Sequence, residues 1–409
     1  MRNGVGRSAI EVKPDVETFA KIKVIGVGGS GSNAINRMIE SGIRGIEFVA
    51  INTDQQDLQH SKSTKRLHIG KATTRGLGAG MDPELGRKAA EESHDEIHEM
   101  LKGSDMVFIT CGLGGGTGTG AAPIIADIAK DVGALTVAVV TKPFMFEGAI
   151  RNQIAESGMQ ELADKVDSII SIPNDRILQI TEKKTPLLEA FRTVDDVLRQ
   201  GVQGIAELIT VPGLINVDFA DVKAIMENTG SALMGIGEAS GDNRSVEAAK
   251  AAIDSPLLEM SIDGAKGILF TVTGADDLGM HEVNEAARVI TAQADPNAKV
   301  VFGTVIDPNA GDNVKITVIA TGFGKSGKLH AMKKIVPEET FRPMEVSEQP
   351  KPAFREMPLP QREPVPAPRP MRSVPNRPFT TEPEPAKVGQ KSKEEQELEI
   401  PAFIRKKMM

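Results

Sequence analysis

Two glycine-rich stretches constrain this chain more than any other feature of its sequence. The stretch GLGGGTGTG spans Gly112–Gly120, between the apolar run Met106–Thr110 and an Ile/Ala-rich helical pattern. The stretch GVGGSGSN, at Gly26–Asn33, follows another apolar run in the same way. Glycine lets backbone N–H groups approach an anion closely, and a helix N-terminus adds the positive end of its dipole. We therefore predict two phosphate-binding loops.

The surrounding pattern predicts an α/β fold. Apolar runs typical of buried strands alternate with helical patterns, which indicates a parallel sheet with both faces covered. The carboxyl ends of parallel strands share one edge, so both glycine loops should converge on one crevice. The predicted strands are Lys21–Gly29, Glu47–Asp54, Met106–Thr110, Ala134–Thr141 and Ser168–Asn174, and the predicted helices include Asp82–Leu101 and Ala121–Asp131.

At 409 residues the chain exceeds the size at which one hydrophobic core keeps growing, so we expect two folded domains. A long periodic segment could bridge them, and a second, smaller α/β pattern follows it. Proline and charge then dominate, and such a segment has too few apolar residues to build a core. The predicted divisions are a disordered arm (1–20), a nucleotide-binding domain (21–186), a central helix (187–210), a second α/β domain (211–325), a disordered Pro-rich linker (326–395) and a C-terminal peptide (396–409).

Composition excludes several function classes. The net charge of −8 and the absence of Trp and Tyr argue against a nucleic-acid partner. No apolar run approaches the ~20 residues that span a bilayer, and no signal-peptide core is present, so we expect no direct membrane insertion. The single cysteine, Cys111, fits a reducing compartment. We predict a cytoplasmic protein and assign Cys111 no chemistry.

Two other glycine motifs offer alternatives. Gly26, Gly28 and Gly31 spell the G-x-G-x-x-G fingerprint of dinucleotide-binding folds, although Asp54 comes late for the acid that should follow. An oxidoreductase that binds NAD therefore stays open as an alternative. The stretch GFGKSGK, near residue 325, resembles a Walker P-loop, but Leu329 replaces the required Ser or Thr, and we reject it.

At GGGTGTG (Gly114–Gly120) the chain resembles the signature loop of the tubulin family, and in particular the family's bacterial cell-division branch. The resemblance extends from about Lys21 to Thr321 and resumes at Ile400–Lys406. It is carried by the stretches IGVGGSGSNAINRM, AINTD, GLGAGMDPELGRKAA, TKPFMFEGAIR, SIPND, DDVLRQGVQGIAELI, NVDFADV and IPAFIRKK. It implies a tubulin-like GTPase domain, related to the Rossmann fold, that forms head-to-tail homopolymers. These filaments would scaffold the division ring beneath the inner membrane.

The resemblance also implies a site for GTP and GDP. The phosphates would lie on glycine loops and Arg151, the ribose at Glu147, and the guanine beside Asp196 under Phe191. Guanine presents N1–H and N2–H₂ donors that one carboxylate accepts together; whether Asp195 shares this role stays open. The implied binding residues are Gly28, Gly29, Asn33, Ala79, Gly80, Gly114, Gly115, Gly116, Thr117, Gly118, Glu147, Arg151, Asn174, Phe191 and Asp196.

Two acids in NVDFADV carry the implied catalysis. Asp218 and Asp221 stand at a predicted helix start, where the pattern alone favours a capping box. The resemblance implies instead that this loop, with Asn216, enters the nucleotide pocket of the next subunit and polarises the attacking water. Hydrolysis would then require polymerisation. A nucleotide-binding paralogue that forms filaments but does not divide cells is a further alternative.

No predicted metal cage accompanies these motifs, so Mg²⁺ should arrive with the nucleotide, held by phosphates and water. The stretch HDEIH at His94–His98 resembles a zinc motif but has Asp in place of Glu, and we interpret it as a solvated helix face. The tail QELEIPAFIRKKMM combines large apolar residues with cations, so residues 396–409 should bind membrane-tethering division adaptors and regulators.

Overall fold

The computed structural model of the chain describes residues 20–181, 184–211, 215, 217–308 and 310–323. The predicted disordered linker and C-terminal peptide, and all but the last residue of the N-terminal arm, lie outside these ranges. Among the described residues, no helix combines the length and the apolar run that crossing a bilayer requires.

One ten-stranded sheet organises the described chain, with strand order β3-β2-β1-β4-β5-β6-β7-β10-β8-β9. Pairing is parallel from β3 through to β7 and between β8 and β9, whereas β10 runs antiparallel to both of its neighbours. The strands are β1 (Ile22–Val27), β2 (Ile46–Asn52), β3 (Lys65–His68), β4 (Met106–Gly112), β5 (Leu135–Lys142), β6 (Ser168–Pro173), β7 (Gly230–Ser240), β8 (Gly267–Gly274), β9 (Lys299–Ile306) and β10 (Asn313–Thr321). The predicted mixed α/β fold with a mostly parallel sheet is confirmed.

Helices connect the strands and cover the sheet. They are α1 (Gly28–Glu40), α2 (Gln55–His60), α3 (Pro83–Glu92), α4 (His94–Leu101), α5 (Thr117–Asp131), α6 (Ala149–Ala163), α7 (Asn174–Ile180), α8 (Leu187–Thr210), α9 (Phe219–Met226), α10 (Arg244–Ile253) and α11 (Met280–Thr291), with a 3₁₀ turn at Met145–Glu147. The single helix predicted over Asp82–Leu101 is in fact two, because the chain leaves helical geometry at Ser93, whose φ and ψ are −107° and 23°.

β1 and β4, the two strands that lead into the glycine stretches, lie side by side in the sheet. β1 pairs with β4 so that Val27 lies opposite Cys111, and both strands are almost fully buried. α1 begins directly after β1, and α5 begins a short turn after β4. This register brings the two predicted phosphate loops to the same edge.

Buried apolar residues form separate clusters on the sheet's faces. One cluster joins β1, β4 and β5 to α1 and α8, and a second joins the same strands to α4 and α5. A third cluster fills the second part of the fold between β8, β10, α10 and α11. Each buried aliphatic side chain contributes about 1.5–3 kcal/mol through removal from water, so these clusters fix the strands whose ends carry the site.

α8 is the long helix predicted between the two α/β regions. Its apolar face, which includes Val194, Leu198 and Ile205, is buried in the first cluster. The opposite face carries Gln203 and Glu207, which hydrogen-bond to each other at 2.5 Å. The i, i+4 spacing of both faces is what an amphipathic helix requires.

Candidate functional site

The two glycine loops touch each other. Gly28 starts α1 with φ +71°, a conformation that favours glycine, and a Cβ atom at this position would lie 3.2 Å from the backbone nitrogen of Gly118. The N-termini of α1 and α5 therefore meet at one place. Backbone N–H groups at two helix N-termini make this place suited to an anion with several charges.

A third loop closes against the second. The backbone N–H of Gly116 donates to the carbonyl oxygen of Gly80 at 2.7 Å. A Cβ atom at Gly116 would lie 2.6 Å from the Ala79 carbonyl oxygen, whereas one at Gly115 would meet no atom within 4 Å. The space beside Gly116 is thus occupied by the backbone of the third loop, whereas the space beside Gly115 is open and could hold a ligand.

The threonine hydroxyls of the second loop hold the loop itself. Thr117 Oγ1 lies 2.6 Å from Thr53 Oγ1, and Thr119 Oγ1 accepts the backbone N–H of Gly114 at 2.9 Å. Both threonines are buried. Their role in the described structure is to fix the shape of the loop, which leaves the backbone N–H groups as its anion donors.

A cavity of about 250 Å³ lies beside these loops, at the carboxyl ends of β4, β5 and β6. Gly112 and Thr141, at the ends of β4 and β5, line it together with Pro143. Five residues predicted to bind nucleotide also line it. They are Asn33, Glu147, Arg151, Asn174 and Phe191.

Glu147 and Arg151 form a pair at one wall of the cavity. Arg151 Nη1 lies 2.8 Å from Glu147 Oε2, and the other carboxylate oxygen accepts the backbone N–H of Phe144 at 3.0 Å. The Arg151 Nε atom is buried without a hydrogen-bond partner among the described residues. The pair places the Arg151 guanidinium beside the glycine loops, and the Nε–H group of Arg151 is left without an acceptor.

Asn174 and Phe191 supply a polar and an aromatic wall. Asn174 starts α7 directly after β6, is 7% exposed, and its Oδ1 atom has no hydrogen-bond partner within the described chain. A buried polar atom without a partner is costly and is typical of a site that a ligand completes. Phe191 is 40% exposed and packs edge-on against Phe144 at 5.6 Å, so a ring face is free for stacking.

The carboxylate on the cavity wall is Asp195, and not Asp196 as predicted. Asp195 lines the cavity together with Phe191. The two residues are four apart on α8, and side chains with this spacing share one helix face. Asp196, one residue further along, is turned by about 100° and faces away.

The pKa values of these two carboxylates are shifted in opposite directions. Burial raises the pKa of Asp195 to about 6, Arg37 opposes this shift and Asp196 adds to it. Burial also disfavours the charge of Asp196, but hydrogen bonds from Arg199 Nε at 2.6 Å and Gln200 Nε2 at 2.5 Å outweigh it and lower the pKa. Asp196 is therefore a satisfied structural carboxylate, and Asp195 is poised to meet a ligand.

Asp218 and Asp221 do not line the cavity, and they follow the end of α8, where Thr210 Oγ1 donates to the carbonyl oxygen of Arg44 just before β2. Both are exposed, and Asp218 occupies the N-cap position of α9 without a side-chain capping bond. The carbonyl oxygen of Met226, at the end of α9, accepts Ser168 Oγ at 2.5 Å, and Ser168 is the first residue of β6. The cavity lies beyond the last residue of β6. Asn216, the third predicted catalytic residue, lies outside the described residues.

Within the described residues, neither the pair His94 and His98 nor Cys111 belongs to a group that could hold a metal ion. In the part of the chain that the structure describes, no group of three or more His, Cys, Asp or Glu side chains is placed to hold a metal ion. Burial raises the pKa of Cys111 to about 12, so its thiol stays protonated and packs at the end of β4.

Comparison with known proteins now adds to this geometry. The family profile described as Tubulin/FtsZ family, GTPase domain, matches residues 21–182, and the one described as FtsZ family, C-terminal domain, matches residues 230–324. The chain belongs to the tubulin/FtsZ family. Its GTPase domain implies binding of GTP or GDP and, in general terms, hydrolysis of GTP. The alternative of an NAD-dependent oxidoreductase is thereby set aside.

Solved structures of tubulin/FtsZ proteins share this fold. The structure described as an empty FtsZ dimer from M. jannaschii is 49% identical, covers 75% of this chain and 89% of its own, and has a TM-score of 0.72. A GDP-bound monomer of CetZ1 and a GTPγS-bound protofilament of CetZ2, both from Haloferax volcanii, are 23% and 21% identical. Each covers 75% of this chain, with 95% and 94% of their own lengths matched and TM-scores of 0.65 and 0.64. At this identity they show the fold alone.

Sequence reasoning missed several cavity residues of this tubulin/FtsZ domain. Ser30, Leu113 and Val194 line the cavity, although none of them was predicted individually; Ser30 and Leu113 stand within the two predicted loops. Asp195 carries a signal that was available, because it stands four residues after Phe191 on a predicted helix. For the other residues, only the way the strand ends meet decides which side chains reach the cavity.

Proposed function

We propose that this protein is a self-assembling GTPase whose copies join head to tail, with GTP hydrolysed between neighbouring copies to drive a bacterial division-ring scaffold. The observation that carries the proposal is that neither acid lines the cavity, while α9, which begins beside Asp218, ends against the first residue of β6 and the cavity lies beyond the last. A six-residue strand spans about 20 Å, which supports action of these acids on the cavity of a neighbouring copy and not on their own.

Guanine is the base that the cavity fits best. Asp195 can accept the N1–H and N2–H₂ donors together, and Phe191 offers a face for stacking. Adenine lacks that donor pair, so its binding would leave the half-buried carboxylate unmatched. Such a mismatch costs about 1–3 kcal/mol per group, which supports a preference of tenfold or more for GTP over ATP.

The phosphates would lie along the backbone of the glycine loops, with Arg151 nearby. The open space at Gly115 and the unused Arg151 Nε atom are the observations that support this placement. The loops offer N–H groups and hydroxyls, which are not ligands that hold Mg²⁺ by themselves. Mg²⁺ would therefore be held by phosphate oxygens and water and would neutralise phosphate charge.

Asp218 and Asp221 would act on the cavity of the adjacent copy. Both carboxylates are exposed and the Asp218 carboxylate does not cap its helix, so each is available to accept a hydrogen bond from a water molecule. A carboxylate that takes the proton of water as the oxygen attacks the γ-phosphorus is a standard general base. The products would be GDP and inorganic phosphate. Hydrolysis would require the interface between two copies to form first.

Exposed apolar side chains near the proposed nucleotide site could form part of the interface between copies. Large apolar side chains on the loop before α3, on the turn before α6 and in the first turn of α6 are exposed by more than half, although monomeric proteins rarely expose large apolar patches. They are Leu77, Met81, Met145, Phe146 and Ile150. Burial of this rim by the next copy would stabilise a head-to-tail contact and exclude water from the nucleotide.

Residues 396–409 would tie the filament to membrane-bound adaptors and thereby place it beneath the inner membrane. The apolar residues and cations of this peptide support the proposal, and all of them lie outside the described residues. Removal of 396–409 should abolish co-sedimentation with adaptor-coated vesicles while GTP-dependent polymerisation persists. Equal recruitment of the full-length and truncated proteins would contradict the tether role.

The decisive experiment measures GTP turnover per molecule against protein concentration, with sedimentation of the same samples. We expect turnover to be negligible below a threshold and to rise sharply where polymer first sediments. A non-hydrolysable GTP analogue provides the control for assembly without turnover. Constant turnover per molecule at dilutions without polymer would show that one copy holds a complete site.

A further inference from the structure

A second cavity adjoins the nucleotide cavity. Its volume is about 390 Å³, and Asn33, Phe191 and Asp195 line both cavities. Asp195 therefore stands on a wall with the proposed base on one side and a separate group of side chains on the other. The charges on that other side act on the carboxylate without touching the nucleotide.

Three cations and one further acid line the adjoining cavity. Arg37 Nη1 lies 3.0 Å from Glu40 Oε2, and Lys62 Nζ lies 2.6 Å from Glu40 Oε1. Arg192, the third cation, is exposed at the start of α8. Glu40 thus pairs with Arg37 on α1 and with Lys62 at this cavity.

Of these cations, Arg37 is the one that favours the charged form of the Asp195 carboxylate. Among the described residues no hydrogen bond or ion pair engages its carboxylate. Burial raises its pKa to about 6, Arg37 lowers it, and Asp196 raises it further. On the nucleotide side, the charged residues Glu147 and Arg151 are paired with each other.

We propose that Arg37 is a positioning residue for base recognition, whose guanidinium, anchored by Glu40, keeps the Asp195 carboxylate charged and directed at the base. The inference rests on the proposed function, because it takes Asp195 as the group that reads guanine. A charged carboxylate accepts both guanine donors. A protonated one carries a donor of its own, which would face them and weaken binding.

The test compares Arg37→Gln with the unmodified protein by measuring GDP affinity between pH 5.5 and 8.5. For the unmodified protein we expect affinity to fall as pH drops through about 6, the pKa of Asp195. For Arg37→Gln the fall should start at higher pH, giving about threefold weaker binding at pH 6.5 and nearly equal binding at pH 8.5. Arg37→Lys should restore the original profile.

Arg192→Gln is the matched control, because it removes one positive charge from the same cavity. We expect it to keep the original pH profile. If Arg37→Gln also keeps that profile, Arg37 has no such role. A loss of affinity that is equal at every pH, and that Arg37→Lys does not repair, would show a purely structural role and would equally overturn the proposal.

Asp195→Asn separates this inference from the function on which it rests. Asparagine presents N–H donors to the base, so binding should shift from GDP towards XDP, whose 2-position carries an oxygen acceptor. With that shift present, an unchanged Arg37→Gln profile refutes only the role of Arg37. If Asp195→Asn leaves the preference for GDP over XDP unchanged, both the base-reading role and the inference fail.

Discussion

At the scale of single residues, Asp195 and Asp196 show how one helix step separates two functions. Asp196 is held by Arg199 and Gln200, and these bonds keep its pKa low despite burial. Asp195 is half-buried without such bonds, and its pKa is raised to about 6. The Asp196 carboxylate accepts hydrogen bonds from its own helix, whereas the Asp195 carboxylate is left for the proposed contact with guanine.

This contrast predicts opposite effects of two matched substitutions on stability. The folded protein binds the proton of Asp195 more tightly than the unfolded chain does, so this residue lowers the free energy of unfolding as pH rises from about 4 to about 6. Asp195→Asn should therefore raise the unfolding free energy of the nucleotide-free protein at pH 7.5 by about 1–3 kcal/mol, and by little at pH 4. Thermal or urea unfolding at the two pH values measures this difference.

Asp196→Asn is the control and should behave in the reverse way. Because its carboxylate accepts two side-chain hydrogen bonds, its loss should destabilise the protein at pH 7.5 and leave the preference for GDP intact. A stabilising Asp196→Asn, or a destabilising Asp195→Asn at pH 7.5, would contradict the assignment of roles.

At the scale of elements, the turn between β4 and α5 is where folding and binding demands meet. Gly116 is enclosed by the carbonyl oxygens of Ala79, Gly80 and Asp82, so a Cβ atom there would lie within 2.6–2.8 Å of backbone. Gly115, its neighbour, has open space. The fold requires glycine at position 116, and the open space at Gly115 is where we propose that the phosphates lie.

Alanine at each position should therefore affect a different measurement. Gly116→Ala should push the loop at Gly80 away and lower the unfolding free energy by about 1–3 kcal/mol. Gly115→Ala should leave the unfolding free energy within about 0.5 kcal/mol but weaken GDP binding, since its methyl group enters the space of the phosphates. Unfolding curves without nucleotide and GDP titrations distinguish them. A Gly115→Ala variant that binds GDP normally would show that the phosphates lie elsewhere.

At the scale of the whole molecule, the proposed catalytic acids do not line the proposed nucleotide cavity of their own copy. The cavity follows the last residue of β6, and α9, which begins beside Asp218, ends against the first. The proposed head-to-tail contact is heterologous, and a heterologous contact whose rotation does not close a ring propagates into a filament. Activity is then a property of the contact between copies.

A mixing experiment tests this arrangement. Asp218→Ala copies, given labelled GTP, have intact cavities, and Asp195→Asn copies, given unlabelled XTP, have intact acids. Asp218→Ala copies alone should release labelled phosphate about a hundredfold more slowly than the unmodified protein, and Asp195→Asn copies alone, which hold only unlabelled XTP, supply no labelled phosphate. Their mixture should recover a measurable fraction of the original rate, since some contacts pair an intact cavity with intact acids.

The control for that experiment replaces the second variant with the double variant Asp218→Ala, Asp195→Asn. It supplies XTP-bound copies without the acid and should restore nothing. Recovery of GTP turnover with the double variant, or its absence with the single one, would place the acids outside the neighbouring cavity.

The sequence alone determined the main elements of the fold and the location of the site. Apolar periodicity and the glycine stretches are local signals, and they predicted β1, β4, α5 and the meeting of both loops at one edge. The long helix α8 was equally legible, because its apolar spacing runs without interruption. These features follow from short-range chain geometry, which the order of residues fully specifies.

Tertiary structure decided what depends on a neighbouring element. β7 needs glycine at positions 235 and 237, because a Cβ atom on either residue would come within 2.0–2.1 Å of the backbone of α10. Glycine weakens the sequence pattern of a strand, so local reading of the sequence gives little sign of β7. The choice of Asp195 over Asp196 depended on which face of α8 meets the ends of β4–β6. The use of the Thr117 hydroxyl depended on Thr53, which is distant in the chain. Such contacts join residues far apart in sequence, so no local pattern encodes them.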